Sequence, residues 1–351
     1  MPVSELTGPV HVVGAGLLGA SIGLACRRAG LEVFLSDTNP DHVRTASGLG
    51  AGTPYDGQRA QLVVVCVPPD QLAAEISRAL TSGAVVTDVG SVKTGPMSQV
   101  TGDLGLYVGG HPMAGSERSG PLAASAGLFD GRPWAITPHQ DAQSDAVDLV
   151  GELVALCGAV PVVLTPEEHD RAVARTSHLP HLLASLVAGR LAEAPEQHLA
   201  LTGQGVRDVT RIAAGDPQLW QQIVSANQVA VLEMLTEVRG QLDSLISAVD
   251  AGSREDLVAL LEHGVSGTQA IPGKHGGPVT PMRSVFVSVP DHPGELARLF
   301  ADAGASQVNI EDIHIDHDPG RPVGLVELLV AEQRAEHLLT SLEARGWAVH
   351  R

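Results

Sequence analysis

Between Gly109 and Gly120 the chain sets an imidazole (His111), a carboxylate (Glu117), a guanidinium (Arg118) and two hydroxyls (Ser116 and Ser119) on one glycine-rich stretch. Glycine has no Cβ, so such a backbone can come close to a bound molecule. An imidazole titrates near neutrality, so His111 is suited to take a proton from a substrate hydroxyl while the adjoining carbon is oxidised. A second group, Ser91 and Lys93, closes the run Val85-Val86-Thr87-Asp88-Val89-Gly90-Ser91-Val92-Lys93. It falls just past the carboxyl end of an apolar segment, the edge where open α/β sheets hold ligands. Taken alone, the first group also reads as a solvated turn and the second as a helix N-cap. The elements around them must choose between these readings.

Upstream, Val10-His11-Val12-Val13 runs into Gly14-Ala15-Gly16-Leu17-Leu18-Gly19, a strand entering GxGxxG, and Ala20–Ala25 continues as a helix. Gly14 suits a tight turn, Gly16 a close approach of backbone to a pyrophosphate, and Gly19 close helix–sheet packing. Leu17 and Leu18 open the helix, whose N–H groups and positive dipole end favour phosphate. Asp37 ends the next apolar run, where a carboxylate binds a ribose diol and repels a 2′-phosphate. The cofactor-binding set is thus Gly14, Gly16, Leu17, Leu18, Gly19 and Asp37, and NAD is expected over NADP. A methyltransferase also uses a glycine turn and an acid, but the continued strand pattern and the His111 loop count against it.

The short β-rich runs are Val10–Val13, Glu32–Ser36, Leu62–Val67, Ala84–Val89, Leu106–Val108, Trp134–Thr137 and Val160–Leu164. Val63–Val67 is apolar throughout rather than alternating, as in a strand covered on both faces, so a Rossmann-type parallel sheet between helix layers is expected. From Pro166 to about Gly267 the β-branched runs give way to Ala, Leu, Glu and Gln. Leu182–Leu191, Pro217–Ser247 and Arg254–His263 read as helices of an all-helical domain. Beyond a Pro/Gly-rich linker, Ser284–Val289, Val308–Ile315, Leu325–Ala331 and Ala348–Arg351 read as strands. Gly294–Gly304 and Arg334–Arg345 read as helices, giving the order βαββαβ of a small ferredoxin-like module. The expected domains are 8–165, 166–270 and 283–351, with a linker at 271–282.

With 40 acidic against 22 basic residues the net charge is −18, which excludes a phosphate backbone or an anionic membrane surface as a natural partner. Cys26, Cys66 and Cys157 are scattered in apolar runs and suit buried free thiols in a reducing compartment. The start of the chain has no signal-peptide pattern and no run is long enough to span a bilayer, so a soluble cytoplasmic protein is expected. The apolar run Val224–Leu235 suits burial against a second copy, so a homodimer is expected.

Two further blocks extend the pattern: Arg175-Thr176-Ser177-His178-Leu179-Pro180-His181, and Gly205-Val206-Arg207-Asp208-Val209-Thr210-Arg211-Ile212-Ala213-Ala214-Gly215-Asp216-Pro217. Together with the Ser91 and His111 blocks, in this order, they resemble the prephenate/arogenate dehydrogenase family of tyrosine biosynthesis, over roughly Pro9 to Gly267. The resemblance implies NAD-dependent oxidative decarboxylation of prephenate to 4-hydroxyphenylpyruvate, with arogenate as the alternative substrate. It implies that His111 accepts the ring hydroxyl's proton, that Ser91 supports His111, and that Arg211 grips the ring carboxylate. A guanidinium suits that task because its planar fork meets a carboxylate bidentately. Glu117 matches a residue that gates the pocket, and His178 and His181 match paired histidines near the substrate. Arg118 stands where many relatives have Lys, and the charge is retained.

The i,i+3 pair His178 and His181 also suggests a metal, but no third ligand falls at a sensible spacing, so none is expected. His169, within Glu167-Glu168-His169-Asp170, reads as part of a polar surface cluster, and Arg207 as a helix-surface charge or one standing behind the substrate contacts. The tail from Ser284 resembles an ACT domain, in Pro290-Asp291-His292-Pro293-Gly294-Glu295-Leu296 and Val308-Asn309-Ile310. That resemblance implies a regulatory amino-acid site, with tyrosine the expected effector, near Asp291, Gly294, Asn309 and Ile310. Two rivals remain. β-Hydroxyacid dehydrogenases use a lysine in their helical domain, whereas the only lysines here are Lys93 and Lys274. A non-catalytic amino-acid sensor would not be expected to keep Gly14, Gly16, Gly19, Ser91, His111 and Arg211 together.

Overall fold

Four consecutive valines and leucines can be buried only where a strand is covered on both faces, and Leu62–Val65 is buried at every position. In the computed structural model, which describes residues 5–115, 119–271, 281–317 and 323–350, this strand lies at the middle of a large sheet. The strands are β1 (Val10–Val13), β2 (Val33–Ser36), β3 (Thr53–Pro54), β4 (Leu62–Val65), β5 (Val85–Asp88), β6 (Tyr107–Pro112), β7 (Pro133–Pro138) and β8 (Val160–Val163). Their order is β3-β2-β1-β4-β5-β6-β7-β8. The helices along this part are α1 (Leu17–Arg28), α2 (Pro40–Gly48), α3 (Pro69–Leu80), α4 (Thr94–Met97) and α5 (Ser144–Leu156).

The expected parallel sheet needs one correction. Strands β3 to β6 pair in parallel through β2, β1, β4 and β5, but β6 and β7 pair antiparallel, and β8 runs parallel to β7. The chain returns from β6 to β7 through a loop containing a single turn of 3-10 helix, Pro121–Ala123, without the helical crossover that a parallel neighbour requires. That reversal is not visible in the apolar pattern of either strand.

After β8 come α6 (Pro166–Val173), a π-helical turn (Ala174–His178), α7 (Leu179–Ala192), α8 (Glu196–Leu199), α9 (Gln204–Thr210), α10 (Pro217–Ala226), α11 (Gln228–Asp250) and α12 (Arg254–Gln269). The expected single helix over Pro217–Ser247 is broken at Asn227, which leaves helical geometry at φ −110°, ψ 32°. The first compact unit of the chain ends at Ile246 and the second begins at Ser247. The expected boundary at 165/166 falls inside the first unit, at the start of α6. There Asp170 accepts hydrogen bonds from the backbone N–H groups of Lys93 and Thr94, each at 2.9 Å, which ties the helices to the sheet's carboxyl edge.

The second unit carries β9 (Met282–Pro290), α13 (Glu295–Ala305), β10 (Asp312–His317), β11 (Val323–Ala331), α14 (Glu332–Ala344) and β12 (Ala348–His350). The four strands form an antiparallel sheet in the order β10-β11-β9-β12, with the expected βαββαβ connectivity. Val285, Val287 and Val289 alternate with half-buried residues and join Leu299, Leu338 and Leu342 in a core of their own. The strand expected from Val308 begins only at Asp312, so Asn309 and Ile310 lie in the approach to β10. Among the described residues no helix is long and apolar enough to cross a membrane.

Candidate active site

The turn after β1 is built as its glycines require. Gly14 adopts φ +99°, and a Cβ there would lie 2.2 Å from the Cys66 carbonyl oxygen; a Cβ on Gly19 would lie 1.9 Å from the Gly14 carbonyl oxygen. Gly16 differs, since a Cβ there would meet nothing within 4 Å. The fold itself does not need a glycine at that position, whereas a ligand approaching the backbone would. Gly16 is also the N-cap of α1 and supplies no side-chain cap, so the first N–H groups of the helix, through Leu17 and Leu18, face a space suited to an anion.

Asp37 follows β2. Its carboxylate accepts the Ala15 and Asn39 N–H groups at 2.7 Å each, and His42 Nδ1 stands 3.4 Å away. Asp37 lines a cavity of about 570 Å³ with Ser36, Val43, Pro54 and Tyr55. An adenosine half of a dinucleotide would suit that space, with its phosphates at the Gly16 turn. Tyr55 stacks on His11 at 3.9 Å, and burial lowers the His11 pKa to about 4.

His111 sits near the end of β6, on a backbone held from beneath. Gly109 and Gly110 have no room for side chains: a Cβ on the first would meet Thr137 Oγ1 at 2.4 Å, and on the second the Asp88 carbonyl oxygen at 2.6 Å. Lys93 is only 1% exposed; its ammonium donates to Asp88 Oδ2 and, at 2.6 Å, to the Gly110 carbonyl oxygen. Tyr107 Oη and the Gly90 and Gly110 N–H groups complete the shell around Asp88. Lys93 therefore serves as a buried support for the strand that carries His111.

The partner of His111 Nδ1 is His169 Nε2, at 2.9 Å. Ser91 is half-buried in the turn between β5 and α4. His169 Nδ1 lies 2.9 Å from Asp170 Oδ1. The surface position expected for His169 is therefore wrong: it is 1% exposed and stands at the centre of the site. It is placed there by α6, whose start carries a reciprocal capping box between Thr165 and Glu168. Asp170 Oδ2 takes the Thr94 N–H and hydroxyl. Burial works against the charge on Asp170, but hydrogen bonds from His169, Thr94 and the Lys93 backbone outweigh it and hold the carboxyl below its ordinary pKa.

These contacts set a direction. A carboxylate only accepts, so His169 donates from Nδ1. In the neutral ring Nε2 then accepts, so His111 donates from Nδ1 and carries its lone pair on Nε2. Burial first, then the charges of His169, Lys93 and His178, hold the His111 pKa well below its ordinary value. The ring is thus a neutral base at physiological pH.

His178 and His181 are both buried, 1% and 7% exposed. His178 Nδ1 meets Asn227 Nδ2 at 3.2 Å, and His181 stacks on Trp220 at 3.5 Å with the rings 9° apart. A Cβ on Gly215 would strike Trp220 Nε1 at 2.6 Å, so this stack requires the glycine that follows Ala214. His181 also hydrogen-bonds the backbone of Ile212, which sets the residue after Arg211 beside the cluster. Arg211 opens an exposed 3-10 turn, Arg211–Ala214, and Arg207 is exposed on α9. Glu117 and Arg118 lie outside the described residues. Among the described residues no cluster of His, Cys, Asp or Glu is arranged to hold a metal. His169, Asp170 and Asn227 were missed as functional residues; the adjacent His169-Asp170 pair was the available signal, since such a pair on a buried helix face makes a base and its orienting acid.

A Rossmann-type sheet with a phosphate-ready glycine turn, an acid at the end of β2 and a buried, acid-oriented histidine at the carboxyl edge defines a nucleotide-dependent oxidoreductase. The family model for the prephenate dehydrogenase nucleotide-binding domain matches residues 22–163, beginning just after the glycine turn, and the model for the prephenate dehydrogenase dimerization domain matches residues 165–263. The chain is 37% identical over 353 residues to a Streptomyces niveus protein described as "Probable prephenate dehydrogenase NovF", covering 96% of this chain and 98% of that one. Among solved structures, prephenate dehydrogenase from A. aeolicus in complex with hydroxyphenyl propionate and NAD+ is 28% identical with a TM-score of 0.67, over 74% of this chain and 96% of that one. Synechocystis arogenate dehydrogenase is 27% identical with a TM-score of 0.65, over 74% and 98%. The chain belongs to the prephenate dehydrogenase family and is an NAD-dependent oxidoreductase.

Proposed function

We propose that this protein converts prephenate to 4-hydroxyphenylpyruvate and CO2, with NAD as oxidant, in tyrosine biosynthesis. The observation that carries the reading is the directed chain Asp170–His169–His111, which leaves the half-buried His111 with Nε2 as its acceptor at the carboxyl edge of the sheet. His111 Nε2 takes the proton of the ring hydroxyl. The nicotinamide, when bound, accepts the hydride of the carbinol carbon. The electrons of the breaking ring-carboxylate bond complete an aromatic ring as CO2 leaves, and the resulting phenolate oxygen takes back the proton from His111, so the chain's task is to orient the reactants and hold two carboxylates. Arg211 grips the ring carboxylate, His178 and His181 line the substrate with Glu117 at its gate, and Ser91 lies near the nicotinamide. Gly14, Gly16, Leu17, Leu18, Gly19 and Asp37 hold the dinucleotide.

The domain limits proposed are 8–165, 166–270 and 283–351. Exposed apolar residues on the helices, such as Leu186, Val229 and Leu232, and the dimerization-domain match support a homodimer. The βαββαβ unit supports an ACT-type module that binds tyrosine near Asp291, Gly294, Asn309 and Ile310. The location proposed is the cytoplasm.

The test is NADH absorbance on adding prephenate or arogenate, each with NAD and with NADP. Prephenate with NAD should give the highest kcat/KM. His111→Asn should lose turnover by about 10²–10⁴-fold, the usual contribution of a positioned base, with a modest change in KM. Unchanged turnover in that variant would remove His111 from its role, and preference for arogenate would reassign the substrate.

A further inference from the structure

The relay accounts for His111, His169 and Asp170, yet it gives no task to the buried His178 or to Asn227. Asn227 is 4% exposed and interrupts what would otherwise be one helix from α10 to α11. Its Nδ2 donates to the Asp170 backbone carbonyl oxygen at 2.8 Å. A carbonyl can only accept, so the atom facing it is the amide NH2 and not the amide oxygen. The same nitrogen lies 3.2 Å from His178 Nδ1. Its second N–H therefore meets that ring nitrogen, and Nδ1 must be the one without a proton.

Asp170 cannot claim His178 for itself. Its Oδ1 already accepts from His169 and the Lys93 N–H, and its Oδ2 from the Thr94 N–H and hydroxyl. Burial lowers the His178 pKa to about 4, with Asp170 pulling upward and His169 and His181 pushing down, so the ring is neutral at pH 7. A neutral ring bare at Nδ1 carries its proton on Nε2.

We propose that Asn227 is a positioning residue that locks His178 as an Nε2–H donor to a carboxylate or keto oxygen of the substrate. The site then offers two neutral imidazoles of opposite sense: His111 accepts at Nε2 and His178 donates from Nε2. Neither can exchange roles, because each Nδ1 is committed to a different partner. An amide serves here where an acid would not, since an acid at 227 would present acceptors to both His178 and the Asp170 carbonyl. The substrate part of this inference rests on the function proposed above; the tautomer does not.

The test is ¹⁵N NMR of the full-length protein labelled at histidine, with the His178 signals assigned by their loss in His178→Gln. A pyridine-like Nδ1 and a pyrrole-like Nε2 are expected for wild type. In Asn227→Asp the ring should reverse or become doubly protonated, and kcat should fall by about 10–100-fold, as for loss of an orienting partner, while the NAD dissociation constant by calorimetry stays put. A merely structural role would leave the tautomer unmoved. Protonated Nδ1 in wild type overturns the proposal, as does unchanged kcat in an Asn227→Asp protein whose tautomer has reversed. Should the variant not fold, the wild-type spectrum decides alone. The expected spectrum with no turnover of prephenate or arogenate would uphold the tautomer and sink the substrate reading.

Discussion

At the scale of single residues, the chemistry depends on which nitrogen holds each proton. His111 has the right place in the chain, but only the partners of His169 make its Nε2 a base. Asp170→Asn tests this directly. An amide NH2 facing His169 Nδ1 would move that ring's proton to Nε2, and His111 would then be protonated on Nε2 and unable to accept. We expect kcat to fall by about 10²–10⁴-fold, the scale of a misoriented base, in stopped-flow measurements of NADH formation. Loss of less than twofold would dismiss the relay. The pH profile has a defined sign: a base loses activity as pH falls through its pKa, and burial holds His111 well below 6.5. The kcat/KM of wild type should therefore stay level from neutrality to below pH 6.5 and drop only on the acid side of it. Spacing made His111 and the glycine turn legible, whereas Arg211 was marked only by the family resemblance. The His169-Asp170 pair was visible in the sequence, but its burial was not, because that depends on what packs over it.

At the scale of elements, strands β5 and β6 and helix α6 hold the relay in place. The Lys93–Asp88 pair lies beneath β6 with both side chains at most 1% exposed. Removing one partner strands a buried charge, so Lys93→Met should destabilise the protein by about 3–5 kcal/mol. The shell of N–H and hydroxyl donors around Asp88 places the loss toward the lower end. Lys93→Met combined with Asp88→Asn should regain part of it, read as unfolding midpoints in guanidinium; a single variant as stable as wild type would refute the argument. Apolar runs located all the strands of the large sheet except the two-residue β3; burial on both faces leaves a continuous signature in β4, while the edge strand β8 keeps an apolar run although exposed at every position. The reversal between β6 and β7 and the break at Asn227 escaped, since strand direction and helix interruption are set by connections and by distant hydrogen-bonding partners.

At the scale of the molecule, the chain carries a catalytic unit and a separate small unit with its own core. If the latter is a tyrosine sensor, the approach to α13 is the place to test it. Gly294 takes φ +95° at the start of that helix and supplies no side-chain cap, leaving N–H groups for a carboxylate. Asp291→Ala and Asn309→Ala should leave the uninhibited rate intact and raise the tyrosine needed for half-inhibition by about tenfold, the worth of one charge-assisted hydrogen bond. Equal inhibition of variants and wild type would exclude this site.

Periodicity, glycine spacing and charged residues at fixed offsets are local properties, so the chain alone determined the strand–turn–helix that suits a dinucleotide and the βαββαβ tail, and it marked His111 as a loop residue where the structure extends β6 through it. The proton's direction through His169, the neutral state of the paired histidines and the support from Lys93 were decided only by the tertiary structure. They depend on groups up to 77 positions apart meeting where water is excluded, and no sequence window contains that meeting.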